Sequence, residues 1–349
     1  MRPLRGPLAH IVPFMLAVIG TFACAAAARA ADKANPAHAD PQKTDDDFPF
    51  QGEYAGEVTH DGQALRIGVQ VIAMGDGAFD VVAYPGGLPG DGWTPPNRIT
   101  GKGTRVGTGA DAVVRIEGTD WGGVSRKAEI RKGVLVPLTD DGSEVAKLPK
   151  VSRTSPTLGA KPPEGAVVIF DGPGPADEQS TLVKPRITDD GLLLEGVTTA
   201  DSFGDARWHI EFRLPYRPKA RGQGRGNSGA YFLNCYEVQM LDSFGLEGRD
   251  NECGGIYSVK PPSVNMCLPP LDWQTYDVDV TAPRFEDGRK VKNARLTVRH
   301  NGVVVQDDVE VRGPTTAAGR REDGPAGPLQ LQNHGNPVRY RNIWVVPAK

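Results

Sequence analysis

Trp208-His209-Ile210-Glu211-Phe212-Arg213 alternates an apolar residue with a polar one at every step. Successive side chains on a strand point to opposite faces, so Trp208, Ile210 and Phe212 read as core, and His209, Glu211 and Arg213 as the other face. The same split recurs in Tyr236-Glu237-Val238-Gln239-Met240, where Glu237 and Gln239 oppose an apolar row. It recurs in Leu329-Gln330-Leu331-Gln332-Asn333-His334, where Gln330, Gln332 and His334 share a side, and in Val338-Arg339-Tyr340-Arg341-Asn342, where Arg339 and Arg341 do. Any one of these rows alone is an ordinary solvent face. A plain solvent face holds Lys, Glu, Thr and Ser, however, whereas these rows are rich in Gln, Asn, His and Arg, the planar groups that clasp sugar hydroxyls or carboxylates. Four such rows predict one polar cleft on one sheet, shared by His209, Glu211, Glu237, Gln239, Gln330, Gln332, His334 and Arg341.

Outward from these strands the pattern stays β. Residues 166–349 form a series of short strands with no amphipathic helix of ten residues or more, the mark of a sandwich, jelly roll or barrel. Residues 48–151 read as a smaller β-rich domain, with alternating runs such as Ile67–Ile72 and Phe79–Tyr84 between Gly/Pro/Asp turn clusters. Residues 152–165, rich in Ser, Pro and Gly and without periodicity, read as the linker. Gly 43 and Pro 30 in 349 residues fit a chain of many strands and turns. The expected fold class is all-β. His300-Asn301-Gly302 between two apolar runs predicts a hairpin turn.

With 40 basic against 43 acidic residues, the chain lacks the charge excess of a nucleic-acid binder, and no nucleic acid is expected as a partner. Arg2 and Arg5, the apolar run Ile11–Ala28 and the small-x-small end Ala28-Arg29-Ala30 read as a secretory signal over residues 1–30. A membrane anchor is the competing reading, but the run is barely long enough to span and contains Pro13. The expectation is a periplasmic or secreted protein without stable membrane insertion after signal removal. Residues 31–47, polar and Pro/Ala/Asp-rich, read as a flexible, disordered leader. Cys235, Cys253 and Cys267 remain in the mature chain, and one bridge plus one buried thiol is the natural arithmetic of an oxidising compartment. Cys253 and Cys267 share a Gly/Pro-rich stretch and are the expected bridge. Cys235 lies in a strand-like run and is expected free.

Other segments carry chemistry less specifically. Glu237 and Asp242 could flank a glycosidic bond if a bulge brings Asp242 onto the face of Glu237 and Gln239; a polar strand ending in a turn fits the spacing equally well. The glycine-rich basic run Arg221–Gly229 reads as a lid or a wide turn. It is not a phosphate loop, since no Lys-Ser/Thr and no helix follow. Trp273 and Tyr276 can stack on a sugar or pack in the core.

Together the segments resemble the 3-keto-disaccharide hydrolase family, also described as 3-keto-glucoside 1,2-lyase and 3-keto-2-hydroxy-glucal hydratase. The resemblance rests on Asn227-Ser228-Gly229, Tyr236–Asp242, Gly255-Ile256-Tyr257 and Trp273-Gln274-Thr275-Tyr276. It continues in order through His300-Asn301-Gly302, Gln330–His334 and Val338–Ile343, over about half of the chain. It implies a concanavalin A-like jelly roll and a small oxidised saccharide as substrate. A ketone at C3 acidifies the C2 proton, so a base can remove it and the C1–O bond then leaves by β-elimination, with water completing net hydrolysis. Glu211, Glu237 and His334 are the candidates for proton transfer. His209, Asn227, Gln239, Asp242, Tyr257, Trp273, Gln332 and Arg341 are the candidates for substrate binding, with Arg341 and Gln239 toward the enolate. No cofactor is certain; a divalent metal could act as the electrophile, though no ligand spacing is diagnostic. The alternatives are a non-catalytic carbohydrate-binding module and a retaining glucanase using Glu237 and Asp242. The segments Arg221–Gly226 and Asn251–Pro270 depart from the family pattern and leave the substrate open.

Overall fold

Eight antiparallel strands, Gly52–His60, Gln63–Gly75, Ala78–Pro85, Ile99–Val106, Val113–Thr119, Ser125–Arg131, Val134–Leu138 and Leu148–Val151, pair in chain order. The last closes on the first through Glu53↔Val151, which makes a closed barrel. Tyr54, Val69, Val71, Phe79, Val114, Ile116, Ile130 and Leu148 fill its interior, one parity of each strand. The structure is a computed structural model that describes residues 35–60, 62–120, 122–172 and 181–348. The expected signal, residues 1–30, lies outside the described residues. The polar segment read as a flexible leader is described from Asn35 and is docked from His38 onward. His38 and Tyr216 exchange backbone hydrogen bonds, and buried Asp47 accepts from Gly77 N and Arg105 Nε at 2.8 and 2.7 Å.

The second body is a two-sheet jelly-roll sandwich, so the chain is all-β with the sandwich C-terminal. One sheet runs in the order Val167–Phe170, Arg339–Pro347, Ala206–Arg213, Trp273–Thr281, Ala294–His300, Val303–Val311, with Leu193–Leu194 also paired to Arg339–Pro347. The other runs Leu182–Val183, Val197–Thr199, Gln330–Leu331, Ser228–Phe232, Tyr236–Met240. Trp208, Ile210, Phe212, Phe232, Val238, Tyr276 and Tyr340 meet between the sheets, buried. The tight turn Asn301-Gly302 joins two strands of the larger sheet with φ of 50° and 81°, values that suit Asn and Gly.

The barrel and the sandwich pack as parts of one unit that runs from Ala37 on. Ile72, Val82 and Tyr84, on the outer parity of barrel strands, join the sandwich's apolar cluster. The approach is close: a Cβ on Gly245 would fall 2.4 Å from Ile72 Cδ1. Beside it Arg153 grips buried Glu53 with two bonds of 2.6 Å. Gln70 donates to the same carboxylate at 2.9 Å, and Tyr84 donates to Gln70 at 2.8 Å.

The bridge expected between Cys253 and Cys267 is not formed; Cys235, Cys253 and Cys267 are all free and buried. Cys253 Sγ lies 3.2 Å from Tyr276 Oη, and Cys267 Sγ points at the carbonyls of Leu241 and Leu268 at 3.5 and 3.4 Å. Burial pushes the Cys267 thiol well above its ordinary value, whereas at Cys253 burial is outweighed by hydrogen bonding, which holds the thiol below its own.

The Glu53–Arg153 pair gives the first test. Removing one partner of a buried pair strands the other's charge, so Arg153→Met should lower the unfolding free energy by about 3–5 kcal/mol. The exposed Lys102–Asp80 pair, 2.6 Å apart, is the control, and Lys102→Met should change the urea midpoint far less. Equal midpoints for the two variants would refute the assignment.

Candidate active site on the five-stranded sheet

The strands Ser228–Phe232 and Tyr236–Met240 pair with Tyr231 opposite Glu237 and Gly229 opposite Gln239. Tyr236, Val238 and Met240 enter the core, so Glu237 and Gln239 stand on the outer face. Glu237 is nevertheless buried, because loops close over that face. Thr315 accepts the Glu237 N–H at 3.0 Å, and Tyr257 N donates to Glu237 O at 3.2 Å. The carboxyl group lies across Gly229: a Cβ there would sit 2.1 Å from Glu237 Oε1. The glycine of Asn227-Ser228-Gly229 is thus the space the carboxyl group occupies.

Burial pushes Glu237 up to about 7, only partly opposed by the nearby Tyr231 hydroxyl. The Tyr231 hydroxyl donates to Thr316 O at 3.2 Å and accepts from Gln332 Nε2 at 3.2 Å; burial, reinforced by Glu237, raises its own pKa. With its NH2 turned toward Glu237, the Gln239 amide donates to Glu237 Oε1 at 2.9 Å and to Ser228 O at 3.0 Å. Asn227 and Gln223 stand behind it, with Asn227 Nδ2 donating to Gln223 Oε1 at 3.0 Å. Gln223 in turn donates to Asn251 O at 2.8 Å, tying the glycine-rich loop, a turn of 3-10 helix at Gly222–Gly224, to the loop beyond Asp250. Tyr257, Thr316 and His334 complete the wall of a small pocket of about 80 Å³.

Six of the residues singled out in the sequence meet here: Glu237, Gln239, Asn227, Tyr257, Gln332 and His334. The single cleft expected to hold them with Glu211, His209 and Arg341 does not exist. Those three, with Trp273, lie on the outer face of the other sheet, since Trp208, Ile210 and Phe212 take the core parity there. His209 is held by Asp277 at 2.7 Å and stacks on Trp344. Glu211 accepts from Arg341 at 2.7 Å and Asn342 at 2.8 Å, and Arg341 lies 4.0 Å above the Trp273 ring. Residues 155–160 cover this network: Thr157 donates to Asp277 at 2.6 Å and Gly159 N to Glu211. Burial opposes the charged forms, but the network outweighs it. Glu211 is lowered to about 2 by His209, Asn342, Arg341 and Gly159, and His209 is raised by Asp277 and Glu211.

Asp242 is also elsewhere. It pairs with Arg225 at 2.7 Å, fully buried, at the junction with the barrel, and does not line the Glu237 pocket. A glycosidase pair of Glu237 and Asp242 therefore has no shared cavity. For a metal, Glu237 and His334 are the only His, Cys, Asp or Glu side chains in this wall, and no group of three such residues comes together among the described residues. Those donors do not fit a metal site. Tyr231, Gln223 and Thr316 were missed in the sequence. For Tyr231 the signal was available, because it shares a parity with Gly229 in a strand with one apolar and one small or polar row.

The sequence profile of the 3-keto-alpha-glucoside-1,2-lyase-like domain matches residues 165–346, just over half of the chain and all of the strands that build this pocket. The chain belongs to that family. Membership makes it a carbohydrate-active protein, and the amides and hydroxyls of the wall suit sugar hydroxyls. Two solved structures from Parabacteroides distasonis ATCC 8503, each described as a "putative glycosyl hydrolase", are similar to it. One is 31% identical, covers 53% of this chain and 85% of its own, and has a TM-score of 0.48. The other is 17% identical, covers 53% and 95%, and has a TM-score of 0.38. No curated protein matches the chain.

The two buried glutamates predict opposite responses to one substitution. Glu237 has a folded value near 7, above the ordinary 4.5, so its contribution is intact below about pH 4.5 and is lost as pH rises through 7. At pH 8 that loss is roughly 3 kcal/mol, at about 1.4 kcal/mol per unit. Glu237→Gln should therefore raise Tm at pH 8 and leave it nearly unchanged at pH 4. Glu211 has a folded value near 2, so its stabilisation is present above about 4.5 and is lost as pH falls through 2. Glu211→Gln should lower Tm at pH 8. Thermal melts at the two pH values check both, and equal shifts for the two variants would contradict the placement.

Proposed function

We propose that this protein cleaves the glycosidic bond of 3-keto-glycosides by β-elimination followed by hydration, with Glu237 as the base. The observation that carries the reading is a carboxyl group held near pKa 7 by burial, in the polar pocket of a sandwich that belongs to the 3-keto-alpha-glucoside-1,2-lyase-like family. A base with a value near the working pH is ionised often enough to act and basic enough to take the proton. An ordinary solvated glutamate would be a far weaker base.

Glu237 takes the C2 proton, whose electrons flow toward the C3 ketone. The resulting enolate collapses to form the C1=C2 bond and expel the C1 oxygen substituent, which takes a proton from His334 at the exposed rim. Water then adds to C1 and gives its proton to His334, Glu237 returns a solvent-exchanged proton to C2, and the net result is hydrolysis with both groups restored. Developing charge on the C3 oxygen meets the donors this wall offers, the Tyr257 hydroxyl and the second N–H of the Gln332 amide. Arg341, expected for that role from the sequence, is bound to Glu211 on the other sheet. Tyr231 and Gln239 hold the Glu237 carboxyl group in place. Export to the periplasm or beyond belongs to the same proposal and rests on Arg2, Arg5 and Ala28-Arg29-Ala30.

Purified protein incubated with a 3-keto-glucoside and with its parent glucoside should release aglycone from the keto form alone. In deuterated water C2 should gain deuterium, because elimination breaks C2–H and direct displacement at C1 does not. Glu237→Gln should lower kcat by about 10²–10⁴-fold. Glu211→Gln should leave kcat within a few-fold, because that side chain lies on the other sheet. Turnover of the parent glucoside without C2 exchange would overturn the elimination, and binding without turnover of either would favour a non-catalytic module.

A further inference from the structure

A second cavity lies outside the Glu237 pocket. It is a groove of about 790 Å³ where the barrel meets the sandwich, within the size range of sites that bury small ligands. Its apolar strip comes from both bodies: Ile72, Met74 and Val82 from the barrel, Phe244 and Leu246 from the sandwich. Charged groups rim it, and most are matched. Arg98 pairs with Glu247 at 2.7 Å and Lys102 with Asp80 at 2.6 Å.

Two arginines in the glycine-rich loop are not matched in this way. Exposed Arg221 donates to carbonyls, those of Pro218, Ala220 and Met74 at 2.6, 2.7 and 2.9 Å, and pairs with no carboxylate. Arg225 is 5% exposed. It gives Nε to Asp242 at 2.7 Å and Nη1 to Ala73 O and Pro218 O at 3.2 and 3.3 Å, while Nη2 is buried with no partner. Two guanidiniums therefore share one close carboxylate, and one donor is left over. Burial first, and the charge of Arg225 second, hold Arg221 below its ordinary value, only partly opposed by Asp80.

We propose that this groove binds a saccharide acid, with Arg221 gripping the carboxylate, Arg225 supplying the field behind it and the apolar strip receiving the sugar ring. Guanidinium and carboxylate match in two parallel hydrogen bonds, which a neutral sugar cannot form, and the apolar strip offers a sugar ring a contact that inorganic phosphate lacks. The groove lies across the loop Arg221–Asn227 from the Glu237 pocket, so the same loop carries both sites. The proposal does not rest on the elimination chemistry.

Calorimetric titration of the full chain with D-glucuronate, D-glucose and inorganic phosphate at millimolar concentration tests it. Glucuronate should bind, glucose should not, and phosphate should bind more weakly. Raising salt should weaken glucuronate binding. Arg221→Gln, at an exposed position where the fold should hold, should weaken it by about tenfold or more with Tm unchanged. His334→Gln, in the other pocket, should leave it unaltered. Absence of glucuronate binding, equal binding of phosphate, or an unchanged affinity in Arg221→Gln would each overturn the proposal.

Discussion

Trp208, Phe212, Phe232, Tyr276 and Tyr340 meet between the two sheets of the sandwich, each fully buried, and the alternation of side chains along every strand follows from that contact. An aromatic core side chain contributes a few kcal/mol, so slipping a strand by one residue would expose several of these rings and is not tolerated. The polar residues interleaved with them are therefore forced outward. Each sheet has its own outer face, and the sandwich has two polar faces rather than one. Both are covered in this protein, by different segments of chain.

On the larger sheet the cover is the segment that connects barrel to sandwich. Residues 155–160 bring hydroxyls and backbone groups that the face itself lacks: Ser155 bonds to Thr275 at 2.6 Å, and Asn342 and Trp344 both donate to Ala160 O. Buried ionised groups persist where partners meet them, and here His209, Asp277, Glu211 and Arg341 satisfy one another beneath that segment. Arg153, just before it, clamps the barrel through Glu53. The connection thus fixes the barrel and shields the larger sheet with a few residues. With the barrel so fixed, the groove holding Arg221 keeps its shape.

Which residues face outward was legible in the sequence; which sheet they belong to was not. Parity comes from period two and needs no long-range information, so Glu237, Gln239, Gln332 and Glu211 were all correctly read as non-core. Assigning Ala206–Arg213 and Tyr236–Met240 to different sheets depends on pairings far apart in the chain, Glu211 with Arg341 and Tyr231 with Gln330. No local pattern encodes those. The Arg225–Asp242 pair was hidden for the same reason, since it forms only when the glycine-rich loop folds back to the end of the strand. The thiols show a different limit: Cys253 and Cys267 were read as a bridge because they share a Gly/Pro-rich stretch, and both are free, since sequence spacing does not fix the hydroxyl and carbonyls that surround them.

Glu211 and Glu237 are the same residue type at nearly the same burial, 0% and 2% exposed, yet their values fall near 2 and near 7. The difference lies in what shares the burial. Glu211 has a guanidinium, a histidine, an amide and a backbone N–H, so desolvation is more than compensated and the carboxylate is locked. Glu237 has a hydroxyl and an amide, with no lysine or arginine in its pocket wall, so desolvation prevails and the proton is exchangeable near neutral pH. Adding a cation to stabilise Glu237 would also depress its value and remove its basicity. The Gly229 gap serves the same balance, because it lets the carboxyl group lie against backbone instead of turning toward water. A locked glutamate can hold a fold together and an unlocked one can move a proton, and the charge that accompanies each carboxylate is what separates Glu211 on the larger sheet from Glu237 on the smaller.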